Sequence, residues 1–151
     1  MDKMLAIIPA RCGSKGIENK NIKPLAGHPI LAYSIAAAKL AEIDNIIVST
    51  DSQEYAEIAK KYGAKVPFIR SSKISKDNST DYDFMYHAME WVKDNKEICP
   101  EYWVHLRPTT PLRYPHIINS AAKIIKENPL ATSLRSGHLA NESPFKWFMK
   151  D

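Results

Sequence analysis

Cysteine is scarce in this chain: Cys12 and Cys99 are its only two, far apart and without a C-x-x-C spacing. That excludes a disulfide framework and a zinc knuckle, and reduced thiols are expected. Long apolar runs are missing too, since no segment approaches the roughly eighteen uninterrupted apolar residues of a membrane span. The N-terminus lacks the charged, then apolar, then small-residue order of a secretory leader, so a cytoplasmic location without a membrane partner is expected. Neither G-x-G-x-x-G nor G-x-x-x-x-G-K followed by Ser or Thr occurs, which disfavours a standard dehydrogenase and a P-loop NTPase. Internal repeats and low-complexity runs are also absent.

What is present reads as an ordinary globular protein. The 151 residues, 44% hydrophobic and 25% charged, suffice for one domain with a core. The net charge of +4 and pI near 9.0 would suit nucleic acid, but the excess is gathered in one loop and mixed with acids elsewhere. A small anionic substrate accounts for it more economically than a nucleic-acid partner.

That loop follows the first strand. Met4 to Pro9 is a short continuous apolar run, as in a strand buried on both faces of a parallel sheet. After it, Gly13 and Gly16 allow tight turns and close approach, while Arg11, Lys15, Lys20 and Lys23 supply four cations. Such a loop suits a polyphosphate. A lone Gly13-Ser14-Lys15-Gly16 would equally suit a solvated surface turn, but ligands of α/β folds bind outside the carboxyl ends of strands, where this loop begins.

Further along, Pro29 is placed to open a helix over Ile30 to Leu40. Asn45 to Thr50 reads as a strand, with Asp51 as candidate N-cap of a helix ending at Gly63. Lys65 to Arg70 reads as an edge strand because of Pro67. A helix is expected over Asp81 to Lys93, a strand over Glu101 to Leu106, a helix from Tyr114-Pro115 to Asn128, and a fifth strand over Ala131 to Ser136. Alternating strands and helices predict a doubly wound, mostly parallel α/β sheet of Rossmann-like type. His28 is read as structural. Cys12, flanked by Arg11 and near Lys15, is expected to be the more reactive thiol.

The stretch Ile8-Pro-Ala-Arg-x-Gly-Ser-Lys-Gly through Lys20-Asn21 resembles the opening of the acylneuraminate cytidylyltransferases, the CMP-sialic acid synthetase family. The resemblance continues, in the same order, at Val48-Ser-Thr-Asp51 and at Leu106-Arg-Pro-Thr-Thr-Pro-Leu-Arg113. It implies a nucleotidyltransferase that joins CTP to the anomeric hydroxyl of an acidic nine-carbon 2-keto sugar, releasing pyrophosphate.

By position, the resemblance implies a nucleotide site made of Ala10, Arg11, Gly13, Ser14, Lys15, Gly16 and Lys20, with Arg11 and Lys20 in catalytic roles. Asn21, Arg70 and Ser79 or Thr80 stand where the family contacts the base and ribose, capping being the alternative for the hydroxyls. Arg107, Thr109 and Thr110 match the segment that holds the sugar acid, where many members carry Gln in place of Arg107; a surface salt bridge is the other reading of this arginine.

The family's magnesium-binding aspartate pair falls in the final quarter of longer enzymes, and no metal site is expected within this chain. The only D-x-D, Asp81-x-Asp83, opens a helix and is read as a cap and helix-dipole complement. The chain is therefore expected to be a truncated or partial form, with Mg2+ a cofactor of the full-length enzyme. Residues 1–136 are expected to form the nucleotide-binding domain. Residues 137–151, with Phe145, Trp147, Phe148 and Met149, are expected to begin a homodimerisation arm or to be a last core segment. The alternatives are a non-catalytic nucleotide-binding module and a 3-deoxy-octulosonate-type cytidylyltransferase.

Overall fold

Six consecutive residues from Met4 to Pro9 form β1, buried along nearly its whole length, and the sheet is built around it. A strand buried on both faces must be flanked as well as covered, and β1 pairs in parallel with β4 (Asn45–Ser49) on one side and β5 (Tyr102–His105) on the other. The register sets Ile7 beside Ile47 and His105. This is a computed structural model, and it describes residues 4–95 and 99–137.

Beyond β1 a two-residue hairpin, β2 (Pro24–Leu25) and β3 (His28–Pro29), turns through Ala26 and Gly27, both at positive φ as such a turn demands. Helix α1 (Ile30–Leu40) starts after Pro29, and its first N–H donates to the Lys23 carbonyl. Helix α2 (Gln53–Lys61) ends in a Schellman closure: Ala64 N–H donates to Ala59 O, Gly63 N–H to Lys60 O, and Gly63 takes φ +85°. The Lys39 ammonium adds a 2.7 Å bond to the Tyr62 carbonyl at that negative helix end. His28 lies against Tyr33 and Tyr62, its Nδ1 3.0 Å from the Tyr62 hydroxyl, in keeping with a structural part.

Helix α3 (Asp81–Asp94) lays Phe84 and Ala88 on Leu5, Ile7 and Ile47, with Phe68, Met85 and Trp103 around them. Its start is fixed by Asp83, whose carboxylate accepts from both the backbone N–H and the hydroxyl of Thr80. The capping role read for this acid is what the structure shows.

Three sequence expectations are corrected. Lys65 to Arg70 is not a strand; it makes two isolated parallel bridges, Lys65 to Ile47 and Ile69 to Thr50, because Pro67 between them has no N–H to continue a ladder. Ala131 to Ser136 forms no strand; it is exposed and has no paired neighbour among the described residues. The N-cap of α2 is Ser52, whose hydroxyl accepts from Tyr55 N–H, and not Asp51.

The chain divides into two units, residues 1–118 and 119–151. Helix α4 (Pro115–Glu127) carries the chain from one to the other. In the second unit, α4 is closed by Asn128, whose side chain donates to Ile124 O, and Ala131 N–H turns back to Asn128 O. Of the expected arm 137–151, only Gly137 lies within the described residues. No helix among the described residues is long and apolar enough to cross a membrane.

Candidate functional site

Strand order fixes where a site can form. From β1 the sheet grows outward through β4 and the bridged 65–69 stretch, and the chain then returns to β5 on the opposite side of β1. Loops leaving β1 and β5 therefore diverge at the carboxyl edge, the crevice where open α/β sheets bind ligands. An open cleft of about 370 Å³ lies there.

Its walls come from three stretches of the first unit. The loop after β1 gives Pro9, Arg11, Ser14, Lys15, Gly16, Lys20 and Asn21; the approach to α3 gives Arg70, Ser79, Thr80, Asp81 and Phe84; the turn after β5 gives Arg107, Pro108 and Thr109. Eleven of the fourteen residues singled out in the sequence thus share one cleft. Ala10, Gly13 and Thr110 do not line it. Ala10 is fully buried and donates its N–H to Ser49 O, Gly13 serves the turn with φ +69°, and Thr110 closes a turn onto Arg107 O. Gly16 is not in the left-handed region, so only Gly13 of the pair needs to be glycine for its backbone.

The basic loop is pinned at several points. Asp51, at the end of β4, accepts from the Cys12 N–H at 2.8 Å, and the Asn21 amide donates to the Arg11 carbonyl at 2.9 Å. From α2 the buried Tyr55 hydroxyl reaches Asn19 Oδ1 at 3.2 Å, and burial above all pushes that phenol up to about 12. Asn21, matched to base contact by resemblance, is thus a tether of the loop backbone.

Cys12 has surroundings that its sequence neighbours do not disclose. Burial, then the hydrogen bond from Sγ to Asp51 Oδ2 and the charge of that carboxylate, raise its thiol, and Arg11 offsets this only in part. Cys99 is exposed. With limiting iodoacetamide and peptide mass spectrometry, Cys99 is expected to be carboxamidomethylated severalfold faster than Cys12; the opposite order would contradict the Asp51 contact.

Two ion-pair groups occupy the cleft's cations. Asp77 sets one oxygen 2.8 Å from Arg11 Nη2 and the other 2.6 Å from Lys15 Nζ. Asp81 pairs with Arg107, so the salt-bridge reading of Arg107 is the contact present here. Lys20 takes no acidic partner among the described residues. The Arg107 carbonyl is held by Thr110 N–H, by Arg113 Nη2 at 3.3 Å and by Ser34 Oγ at 3.4 Å, which fixes the turn after β5.

Arg70 is the unusual member. It is 5% exposed, donates from Nη2 to Ser49 O at 2.9 Å, and sits 5.6 Å above the Phe84 ring, while its buried Nε has no partner. Burial lowers its affinity for the proton, with Asp51 acting against and Arg11 with that trend. His87 is held below its ordinary value by burial and by Arg70. Asp77, Asp81, Asp51 and Phe84 are not legible as site residues in the sequence; an ion pair spanning 66 positions, as Arg11 to Asp77 does, leaves no local signal.

Among the described residues no group of His, Cys, Asp and Glu is placed to hold a metal ion. Asp81 in the cleft and Asp77 beside it face guanidinium and ammonium groups, a poor fit to magnesium, which binds through one or two carboxylates, ligand phosphates and water.

Residues 5–144 match the cytidylyltransferase family. The chain is 40% identical over 123 residues to an N-acylneuraminate cytidylyltransferase of Escherichia coli, covering 81% of this chain and 28% of that protein. It is 38% identical over 131 residues to a CMP-N,N'-diacetyllegionaminic acid synthase of Legionella pneumophila, covering 82% and 53% respectively. A pseudaminic acid cytidylyltransferase of Campylobacter jejuni is 39% identical over 127 residues, 83% of this chain and 54% of that one. The chain thus spans about a quarter to a half of the length of these relatives. Its fold is similar to that of a CMP:2-keto-3-deoxy-manno-octonic acid synthetase complexed with CTP, with TM-score 0.69 and 19% identity over 84% of this chain and 48% of that one. It is also similar to that of a cytidylyltransferase from Leptospira borgpetersenii, with TM-score 0.65 and 23% identity over 83% and 50%. The α/β architecture is that of a Rossmann-like nucleotidyltransferase.

Proposed function

Since this chain belongs to the cytidylyltransferase family, we propose that it is the nucleotide-binding portion of an enzyme that makes a CMP-sugar from CTP and a nonulosonic, sialic-acid-like 2-keto acid. The observation that carries the proposal is the meeting of the β1 loop cations and Arg107 in one cleft at the switch point between β1 and β5. In this reading Arg11, Ser14, Lys15, Gly16 and Lys20 take the triphosphate. Asn21, Arg70, Ser79 and Thr80 take base and ribose, and Arg107 with Thr109 takes the sugar's carboxylate side, leaving Asp81 as it does so.

The chemistry asks for positioning and charge stabilisation. The sugar's anomeric hydroxyl oxygen attacks the α-phosphorus, a new O–P bond forms, the bond from that phosphorus to the bridging oxygen breaks with its electron pair leaving on pyrophosphate, and the hydroxyl proton passes to solvent water. Charge gathers on the departing pyrophosphate, and in this reading Arg11 and Lys20 offset it. Magnesium belongs to the proposal for a longer protein, since the acids of this cleft are otherwise engaged. A homodimer and a cytoplasmic setting, where CTP is found, are further parts of the reading. The names of the relatives favour the nine-carbon acids over the eight-carbon alternative.

The test is calorimetric. Arg11→Ala is expected to weaken CTP about ten- to a hundredfold, the scale of hydrogen bonds to charged groups, and to leave cytidine nearly unchanged. Equal losses for both ligands would remove the triphosphate assignment.

A further inference from the structure

We propose that Asp77 is a resident competitor for the phosphate site, displaced when a polyphosphate binds and returning when pyrophosphate leaves. The inference rests on the reading of the cleft as a triphosphate site and adds a residue to it. Asp77 divides its two oxygens between Arg11 and Lys15, as a phosphate group would. Those cations hold its carboxyl below the usual range, Lys15 foremost, so it is ionised near neutral pH.

Two features make Asp77 a replaceable occupant. Its side chain is 42% exposed, so the pairs it makes are weak and their breaking is easily offset by an anion of higher charge. It also stands on a tight turn of its own, with Ser79 N–H donating to Lys76 O at 3.1 Å and Lys76 N–H to Ser79 Oγ at 3.0 Å. The carboxylate is thereby held near the cations without being built into the core. Asp81, at the start of α3, pairs with Arg107 through a single oxygen.

A ligand reaching both Arg11 and Lys15 must break both pairs, whereas a nucleoside without phosphates breaks neither. Asp77 therefore lowers affinity selectively for triphosphate and for the pyrophosphate product. Once pyrophosphate departs, the carboxylate reoccupies the two cations and opposes rebinding.

The experiment is titration of inorganic pyrophosphate and of cytidine into the wild-type chain, Asp77→Asn, Asp77→Ala and Asp44→Asn. The last makes the same charge change just before β4, at the opposite edge of the sheet. The Asp77 variants are expected to bind pyrophosphate about three- to tenfold tighter than wild type, the scale of two exposed ion pairs, with cytidine unchanged and Asp44→Asn like wild type. Pyrophosphate binding that weakens or stays the same in both Asp77 variants, or tightens equally in Asp44→Asn, overturns the proposal alone. Failure of every form to bind pyrophosphate removes the triphosphate reading, and the proposal with it.

Discussion

Arg70→Met is expected to raise the melting temperature of the unliganded chain while weakening CTP binding at least about tenfold. The two effects have one cause. Arg70 is a nearly buried cation with no acid in direct contact, and desolvating a charge costs several kcal/mol unless it is paired. Its compensation is one hydrogen bond to Ser49 O and the face of Phe84. Methionine keeps a contact with that ring, and Ser49 O keeps the Ala10 N–H, so no acceptor is orphaned. A net gain of about 1 kcal/mol follows, roughly 2–4 °C for a chain of this size. CTP, in the proposed reading, loses a charged donor that lines the cleft. Thermal melts beside CTP titrations check both halves, and a lower melting temperature with unchanged CTP affinity would contradict them.

Ile7→Ala is expected to destabilise the chain by about 3–4 kcal/mol, a large part of the roughly 5–15 kcal/mol that holds a domain folded. Ile7 is fully buried in the central strand, and its backbone is fixed on both sides by Ile47 and His105. A site that cannot collapse keeps its cavity, which places the cost in the upper part of the usual range. Urea unfolding should show a midpoint lower by about 1–2 M with the slope unchanged. A shift below about 0.3 M would mean that the cluster rearranges freely. Because Phe84 packs in the same cluster and also lines the cleft, CTP affinity should fall with it, although Ile7 is not itself a lining residue.

Local signals carried most of the fold. The apolar run at Met4 to Pro9, the proline before Ile30 and the acids at the start of α3 act within a few residues of themselves, and the corresponding elements begin where those residues place them. Strand character in Lys65 to Arg70 and Ala131 to Ser136 depended on partners, which β-propensity does not supply. Pro67 breaks the first ladder, and the second stretch has no neighbour to pair with among the described residues.

The cleft divides in the same way. Its cations were visible because they crowd one loop after one strand. Its acids were not, because Asp51, Asp77 and Asp81 act on residues tens of positions away, and in isolation each looks like a cap or a polar loop residue. Cys12 shows the cost of that blindness: its neighbours in sequence predict a reactive thiol, whereas burial first, and then Asp51 just after the adjacent strand, raise it.

The central place of β1 also has a temporal meaning. Of the three strands of this sheet, β1 is made before its two partners, and while Asn45 to Ser49 can join it after one intervening helix, Met4 must wait for Tyr102. Closing so long a loop costs entropy before any contact repays it, and pairings of this span slow folding. During synthesis the edge of β1 facing β5, a row of backbone N–H and C=O groups on an apolar strand, stands unpaired until some hundred residues have followed it out of the ribosome, which makes that edge a surface in need of protection in the nascent chain.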